Sequence, residues 1–175
     1  FGKNNTVGRN VTWYKASGEE TGLKDKSVKV FTMGSSFNVV NQVNCLAEAA
    51  RLLQPRGWFV CMWNHRDLED ETQLAIENVI KGEISDYNYG KRRMDPTGVI
   101  TASPDFHAPI HVSHRFIVPM PKDDVVEAWR SHATLQRQAK DKFHDIISKI
   151  ETILGDCNMI HVPYRTNIWI AQKKV

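Results

Sequence analysis

The sequence predicts an α/β fold, and two observations lead to this prediction. Residues 28–63 contain an apolar run, a helical pattern and a second apolar run, which is the order strand, helix, strand. The second run, residues 58–63, is apolar throughout, as is typical of a strand buried on both faces in a parallel sheet. A right-handed crossover joins two such strands. We therefore expect a mostly parallel sheet that is covered by helices.

The helix of this unit should extend to Leu53 and end before Pro55 and Gly57, which interrupt helices. Its apolar side chains recur at three- and four-residue spacings and should form the buried face: Val43, Leu46, Ala47, Ala50 and Leu53. In open parallel sheets, ligands bind beyond the carboxyl ends of the strands. Residues 34–38 and 64–67 are therefore the places where a functional site is expected.

Other segments show weaker periodic patterns. We expect short strands or turns before the central unit and helices with antiparallel strands after it. The expected elements are a short strand over 11–14, a helix over 70–81 with Leu74, Ala75, Val79 and Ile80 inward, a long connection over 82–105, a strand over 108–118, helices over 122–131 and 135–154, and a closing strand over 159–172.

Composition narrows the class of protein. The chain has 175 residues, about one domain, with 41% apolar and 25% charged residues, which is ordinary for a soluble globular protein. No apolar segment has the roughly 18 residues of a membrane helix, so no membrane partner is expected. The net charge is +3 and the one compact basic run is Lys91-Arg92-Arg93. No aromatic stripe accompanies that run, so we interpret it as a solvated loop and expect no nucleic-acid partner.

Three cysteines, Cys45, Cys61 and Cys157, form no CxxC pair. An odd number of thiols, one of them in a predicted buried strand, indicates reduced cysteines and a cytoplasmic protein.

Histidines offer a second set of candidates. On a strand, His107 and His111 share a face and His114 points to the other, so the three cannot converge on a metal, and no metal site is expected. His65 follows the second apolar run, where it can act as a general base or cap the strand end by hydrogen bonding. Both roles stay open, as do pocket-lining and hairpin-capping roles for Tyr164 and Arg165.

Several motifs together resemble the class I S-adenosylmethionine-dependent methyltransferases of small molecules. They are Ser17-Gly18-Glu19, the segment MGSSF at 33–37, EAARLLQPRG at 48–57, WNHRD at 63–67 and PYRT at 163–166. The resemblance covers about residues 11–172. It implies a Rossmann-like sheet, mostly parallel with an antiparallel C-terminal hairpin, that lacks the N-terminal glycine-rich strand-helix unit of the family.

The resemblance also implies roles for individual residues. The cofactor would be S-adenosylmethionine, and the reaction would transfer its methyl group to a hydroxyl or amine of a small molecule. Such an in-line displacement mainly requires that two reactants are positioned and water is excluded. The implied cofactor-binding residues are Ser17, Gly18 and Glu19 at the adenine, with Gly34, Ser35 and Ser36 at the methionine and methyl group. The implied acceptor-binding residues are Phe37, Asn64, Arg66, Tyr164 and Arg165, with His65 as the catalytic base.

Some family features are missing. The family binds its cofactor with a glycine-rich turn after the first strand, and the ten glycines here include no G-x-G pair. Lys29 and Asn38 stand where the family usually has aspartate and histidine. We expect the chain to be the C-terminal portion of the enzyme, with an N-terminal segment missing. The alternative is a non-catalytic interaction module that keeps the sheet as a scaffold and covers its exposed edge by forming a homo-oligomer.

Overall fold

The computed structural model describes residues 2–175, with side chains described for residues 4–90 and 93–175. Four strands form one open sheet: β1 (Val28–Gly34), β2 (Leu53–Arg66), β3 (Ile110–Pro121) and β4 (Met159–Gln172). Their order is β1-β2-β4-β3, with β1 parallel to β2 and the other pairs antiparallel. The α/β class, the parallel pair at the centre of the sequence motif and the antiparallel C-terminal strands are thus confirmed.

Seven α-helices are described along with two short 3-10 turns. The helices are α1 (Gly2–Asn5), α2 (Gln42–Leu52), α3 (Glu71–Glu83), α4 (Thr97–Ala102), α5 (Lys122–Arg130), α6 (Ala133–Ala139) and α7 (Phe143–Leu154), and the turns are Gly90–Arg93 and Lys140–Lys142. In the described residues, none of these helices combines the length and apolar character needed to cross a membrane.

The chain divides into two compact units. The first contains the residues up to Cys61 together with Asp95–Ile110 and Trp169–Val175, and the second contains Met62–Met94 and His111–Ile168. Each unit has its own buried side chains. The expectation of a single domain over 1–175 remains a prediction. The basic run at 91–93 falls in the second unit, where Lys91 and Arg92 lie outside the described side chains.

An aromatic cluster forms the core of the first unit. Phe59 of β2 contacts three other phenylalanine rings, with centroids 6.1 Å from Phe31, 5.1 Å from Phe37 and 5.7 Å from Phe106. Phe37, Phe59 and Phe106 are at most 1% exposed. Offset and edge-on ring pairs of this kind stabilise a core beyond the apolar area they bury.

Helix α2 buries a different face from the one predicted. Val43 is 66% exposed and Ala47 is also exposed, whereas Cys45 and Ala49 are fully buried. Leu46 and Ala50 belong to both faces and are buried as expected. The prediction was wrong because the helix has small side chains on several sides, and such a pattern fits more than one rotation about the helix axis.

Strand β2 is longer than predicted. It begins at Leu53, directly after α2, and includes Pro55 and Gly57, which were expected to form a break. Arg56 has a positive φ of 60°, so the chain accommodates the change of direction within the strand. Burial alternates along β2, with Phe59, Cys61 and Trp63 buried and Trp58 37% exposed. The expectation of a strand buried on both faces was therefore wrong, although Trp63 is a core residue as expected.

The second unit packs helices around α7. Helix α3 begins after Asp70, whose side chain accepts a hydrogen bond of 3.0 Å from the Gln73 backbone N–H, as is typical of an N-cap. Its buried residues are Gln73, Ile76, Glu77 and Ile80, whereas Leu74 is 44% exposed. Of the inward set predicted for this helix, only Ile80 is buried.

Other boundaries also differ from the sequence prediction. The single helix expected over 135–154 is divided at Lys140, which has a positive φ of 49°. The sequence predicts a core stripe for this helix of Phe143, Ile146, Ile147, Ile150 and Leu154. The last four are buried, and Phe143 is partly buried. The connection expected over 82–105 contains a 3-10 turn and α4, and residues 11–14 form no strand. Strand β4 has the predicted bounds because its turn residues and apolar run mark both ends clearly.

Candidate functional site

A loop and a helix start form a cleft in the first unit. The Ser17 hydroxyl accepts a hydrogen bond of 3.1 Å from the Glu20 N–H, which closes the loop over 17–20. Glu19 Oε1 accepts a 2.8 Å bond from the Asn41 N–H, just before α2. This bond lowers the pKa of the Glu19 carboxyl group, so the side chain remains an anion. Glu19 therefore ties the loop to the beginning of α2.

The cleft has a volume of about 640 Å³ and is lined mainly by hydrogen-bonding side chains. The lining residues are Ser17, Glu19, Glu20, Asn41, Asn44, Ala47, Glu48 and Arg51. Carboxylates and amides can accept hydrogen bonds from amino and hydroxyl groups, which are the donors of an adenosine. The structure thus brings together two of the residues predicted at the adenine, Ser17 and Glu19.

A buried carboxylate fixes the floor of this cleft. Glu48 is 7% exposed and accepts bonds from the backbone and the hydroxyl of Thr21, at 2.8 and 2.6 Å. Arg51 donates to both Glu48 oxygens, at 2.7 and 2.8 Å, and also to the Leu23 carbonyl at 2.8 Å. The hydrogen bonds from Arg51, followed by those from Thr21, lower the pKa of Glu48 to about 2. This network holds the segment after Gly18 against α2.

Gly18 lies where a larger side chain would be crowded. A Cβ atom at this position would be 3.3 Å from Met33 Cε, 3.7 Å from Val40 Cγ1 and 3.8 Å from Cys45 Sγ. Cys45 is fully buried, and burial raises the pKa of its thiol to about 12, so it is not a nucleophile. Gly18 thus allows the loop to approach the end of β1 and α2 closely.

The turn after β1 holds the other predicted cofactor residues. Gly34 and Ser35 are exposed and Ser36 is partly buried, and none of the three lines the cleft described above. Ser35 has a φ of 53°, a left-handed conformation that is uncommon for a residue with a side chain. Phe37 is fully buried in the aromatic core. In this structure Phe37 has a packing role, and contact with an acceptor stays a prediction.

His65 is the most distinctive residue at the end of β2, in the second unit. Its ring packs edge-on against Trp63, with centroids 6.4 Å apart, and its buried Nε2 has no hydrogen-bond partner among the described residues. Burial, together with the positive charge of Arg93, lowers the pKa of His65 to about 4. His65 is therefore a neutral imidazole at neutral pH, and its buried Nε2 forms no hydrogen bond within the described residues.

Arg66 and Arg93 lie against aromatic rings. The guanidinium carbon of Arg66 is 4.0 Å from the Trp129 ring centroid, and that of Arg93 is 3.8 Å from the Tyr89 ring centroid. These are cation–π distances. Tyr89 donates a 2.5 Å hydrogen bond to Glu77 Oε2, and Glu77 also pairs with Lys81 at 3.2 Å.

Arg165 belongs to an ion-pair network around Asp67. Asp67 is 4% exposed, and its Oδ2 lies 2.7 Å from Arg115 Nε and 3.4 Å from Arg165 Nη2. Arg165 also pairs with Glu69 at 2.9 Å, and the Asp67 N–H donates to the Pro163 carbonyl at 2.9 Å. Arg165 therefore connects β4 to the loop after β2, which matches the hairpin-capping alternative.

Asn64 and Tyr164 occupy the same two strand ends. Asn64 Oδ1 accepts a 2.8 Å hydrogen bond from the Thr166 hydroxyl, and the Tyr164 ring stacks on Phe116 with centroids 5.7 Å apart. These contacts fix both side chains. Their predicted contact with an acceptor stays a prediction.

The sequence prediction missed several residues of these clusters. Glu48 and Arg51 were noted only as motif residues, although their i,i+3 spacing is a recognisable signal for a helical ion pair. Arg93 and Tyr89 belong to the connection over 82–105, and Trp129 was expected only to be part of a helix. No sequence pattern connects these three residues to His65, since the contacts are formed by segments that are distant in the chain.

Comparisons with known proteins agree with this description. Residues 2–61 match a family model described as a methyltransferase domain. No curated protein matches the chain. Two of the solved structures that share the fold serve as examples. One, from Anaeromyxobacter dehalogenans, is provisionally classed as a type II methyltransferase, with a TM-score of 0.55 and 17% identity over 91% of this chain and 69% of that one.

The other structure is a protein from Bacillus halodurans, also provisionally classed as a methyltransferase. Its TM-score is 0.54 at 14% identity, and the match covers 99% of this chain and 77% of that one. The family-model match supports methyl transfer, and the structural matches show the fold. The resemblance to class I methyltransferases that the motifs indicated is thereby confirmed.

Proposed function

We propose that this chain transfers the methyl group of S-adenosylmethionine to a hydroxyl or amine of a small molecule. Support comes from its methyltransferase-like fold and from the match of residues 2–61 to a methyltransferase domain model. The observation that carries the choice of acceptor is the buried Nε2 of His65, which has no hydrogen-bond partner among the described residues. A hydroxyl or amine must lose a proton when it is methylated, and a neutral imidazole can accept it.

The residues of the first unit fit the adenosine part of the cofactor. S-adenosylmethionine supplies a methyl group on a positively charged sulfur, which is activated for displacement. Ser17, Gly18 and Glu19 would hold the adenine and ribose side, because they border a cleft rich in hydrogen-bond acceptors. Gly34, Ser35 and Ser36 would hold the methionine side with backbone groups of the turn after β1. The left-handed Ser35 directs these groups differently from a continuing strand.

His65 is suited to accept a proton but is a weak base. Its pKa of about 4 means that almost all molecules carry a neutral ring at pH 7. In the tautomer with the proton on Nδ1, Nε2 has a lone pair directed at a ligand. The low pKa limits the driving force for proton transfer to His65. His65 would therefore accept the proton while the new bond to the methyl group makes the acceptor hydroxyl or amine acidic.

The remaining acceptor-side residues would position the substrate. Asn64 and Tyr164 are held by Thr166 and Phe116, and Arg165 is held by two carboxylates. Side chains fixed in this way lose little further freedom when a substrate binds, which favours positioning.

The test of this proposal is transfer of labelled methyl from S-adenosylmethionine, at about 1 mM, to a set of small hydroxyl and amine compounds. His65→Ala should lower turnover at least about tenfold, because general-base help is worth about a hundredfold or more. Cofactor affinity should be nearly unchanged. His144→Ala is the matched control, since His144 is exposed and its ring contacts Phe143.

The opposite pattern would assign His65 a structural role. Unchanged turnover with a lower melting temperature would mean that the ring only packs on Trp63, and that positioning alone carries the reaction. If wild-type protein labels none of the compounds, the small-molecule acceptor class is excluded for the set tested.

A further inference from the structure

Two partly buried arginines of the second unit, Arg66 and Arg93, differ from three other arginines there. Arg115, Arg130 and Arg165 each pair with a carboxylate, at N–O distances of 2.7 to 2.9 Å. Arg66 and Arg93 pair with none within the part of the chain that the structure describes. The Nε atoms of both are buried without a hydrogen-bond partner. Each guanidinium group instead lies over an aromatic ring.

The positive charges of this cluster are incompletely balanced. Arg93 lowers the pKa of both Arg66 and His65, so its charge acts on both groups, although burial is the larger cause for each. The buried carboxylate Glu77 is already bonded to Tyr89 and Lys81. The other groups that influence Arg66 are tyrosine hydroxyls and not carboxylates: Tyr87, Tyr89 and Tyr164. Two cations near each other in a partly buried place are unfavourable without a counter-anion.

The geometry of the two arginines suits an oxyanion. The contacts with Trp129 and Tyr89, at 4.0 and 3.8 Å, hold each guanidinium group over a ring, and a guanidinium group presents its N–H donors in a fixed planar fork. Such a fork matches the oxygens of a carboxylate or phosphate. Arg66, Arg93 and His65 are each partly exposed.

We propose that Arg66 and Arg93 bind an oxyanionic group, a carboxylate or a phosphate, that is part of the methyl acceptor. The assignment rests on the proposed function, because it takes the end of β2 as the acceptor side. It narrows the substrate class to small molecules that carry both an anionic group and a nucleophilic hydroxyl or amine.

Binding of an anion at the two arginines would change the basicity of His65. A bound anion opposes the field of Arg93 and should raise the pKa of His65 from about 4 toward its ordinary value. A more basic imidazole takes a proton more readily at neutral pH. An acceptor with an anionic group would therefore activate the base that its own methylation requires, whereas a neutral acceptor would not.

The experiment uses two probes, methylphosphonate and acetate, titrated separately into the full chain at constant ionic strength. The NMR signal of the His65 ring reports its pKa, and the same titration gives the affinity of the probe. We expect saturable binding and a raised His65 pKa. Arg66→Gln and Arg93→Gln should each weaken binding at least about tenfold, because a bidentate charged contact is lost. Arg130→Gln, which removes an exposed ion pair with Glu151, should bind like wild type.

Each outcome decides a separate point. Tighter binding of methylphosphonate would indicate a phosphate-bearing acceptor, and tighter binding of acetate a carboxylate-bearing one. Equal affinities in wild type and all three variants, or an unchanged His65 pKa at saturation, would overturn the proposal. Arg66→Gln removes packing on Trp129 and can unfold the protein, so Arg93→Gln alone is sufficient for the decision. No probe requires cofactor, so failure here is distinct from failure of the methyl-transfer assay.

Discussion

Glu48 shows how one buried charged residue connects parts of the first unit through hydrogen bonds. The carboxylate is buried, yet the bonds from Arg51 and Thr21 keep its pKa at about 2. The group therefore stays charged at neutral pH and accepts bonds from Thr21, which is distant in the chain, and from Arg51 of the same helix. Without those donors, a buried charge of this kind would be unfavourable.

We predict that Arg51→Met lowers the free energy of unfolding by about 1–3 kcal/mol, because a buried charged acceptor loses two bonds while Arg51 itself is partly exposed. Urea unfolding at pH 7 measures this change. The control is Arg130→Met, whose ion pair with Glu151 is exposed and should matter by about 0.5 kcal/mol or less. Equal losses in both variants would contradict the role assigned to Glu48.

The lowered pKa of Glu48 also gives a pH dependence. The folded-state pKa is about 2, below the ordinary value of 4.5, so the unfolded state binds a proton first as the pH falls. The stabilisation is fully present above the ordinary pKa and is lost as the pH falls toward about 2. Unfolding of wild type and Glu48→Gln between these pH values should show a steeper loss in wild type, and parallel curves would contradict the assignment.

At the scale of elements, β2 depends on one glycine for its packing. A Cβ atom at Gly57 would lie 3.0 Å from each of three atoms: the carbonyl oxygens of Gln54 and Lys29, and Leu53 Cδ2. Two of these are backbone atoms, which cannot rotate away. Gly57 thus permits a close approach at the beginning of β2.

Gly57→Ala should therefore destabilise the protein by about 1–3 kcal/mol, the usual cost of overpacking. The matched control is Gly98→Ala in α4, where nothing lies within 4 Å of an added Cβ. That substitution should be neutral or should stabilise by up to about 1 kcal/mol, because alanine favours a helix. Thermal unfolding measures both variants, and a tolerated Gly57→Ala would show that β2 can move away from Lys29.

At the scale of the whole molecule, cofactor affinity is the decisive property. The chain has no G-x-G turn, the feature that supplies backbone donors to the cofactor in this family. Calorimetric titration of the 175-residue chain with S-adenosylmethionine should therefore give a dissociation constant weaker than about 1 μM. Glu19→Gln should weaken binding further, because Glu19 lines the cleft. Submicromolar binding would contradict this prediction.

Light scattering distinguishes the alternative of an interaction module. Strand β1 is at one edge of the sheet, and its Val30 is 51% exposed. An open strand edge with apolar side chains favours association. An interaction module should show a mass that rises with concentration, and a constant monomer mass would exclude self-association as its function.

The sequence was sufficient to predict the parts of the fold that follow from local patterns. Apolar runs bounded by turn residues located β1 and β4, and the stripe Ile146, Ile147, Ile150 and Leu154 located the buried face of α7. Motif residues identified Ser17 and Glu19, which do lie on one cleft. These predictions succeeded because each depends on residues within one or two turns or strand repeats of one another.

Only the tertiary structure decided which helix faces are buried and which charged groups influence one another. The helical pattern of α2 fits two rotations, and the structure adopts the one that buries Cys45 and Ala49, with Cys45 in contact with Met33 of β1. The chemical state of His65 and Arg66 depends on Arg93 and Tyr89 of the connection over 82–105 and on Trp129 of α5. A pKa or an uncompensated charge arises from distances between such segments, and periodicity along the chain carries no information about those distances.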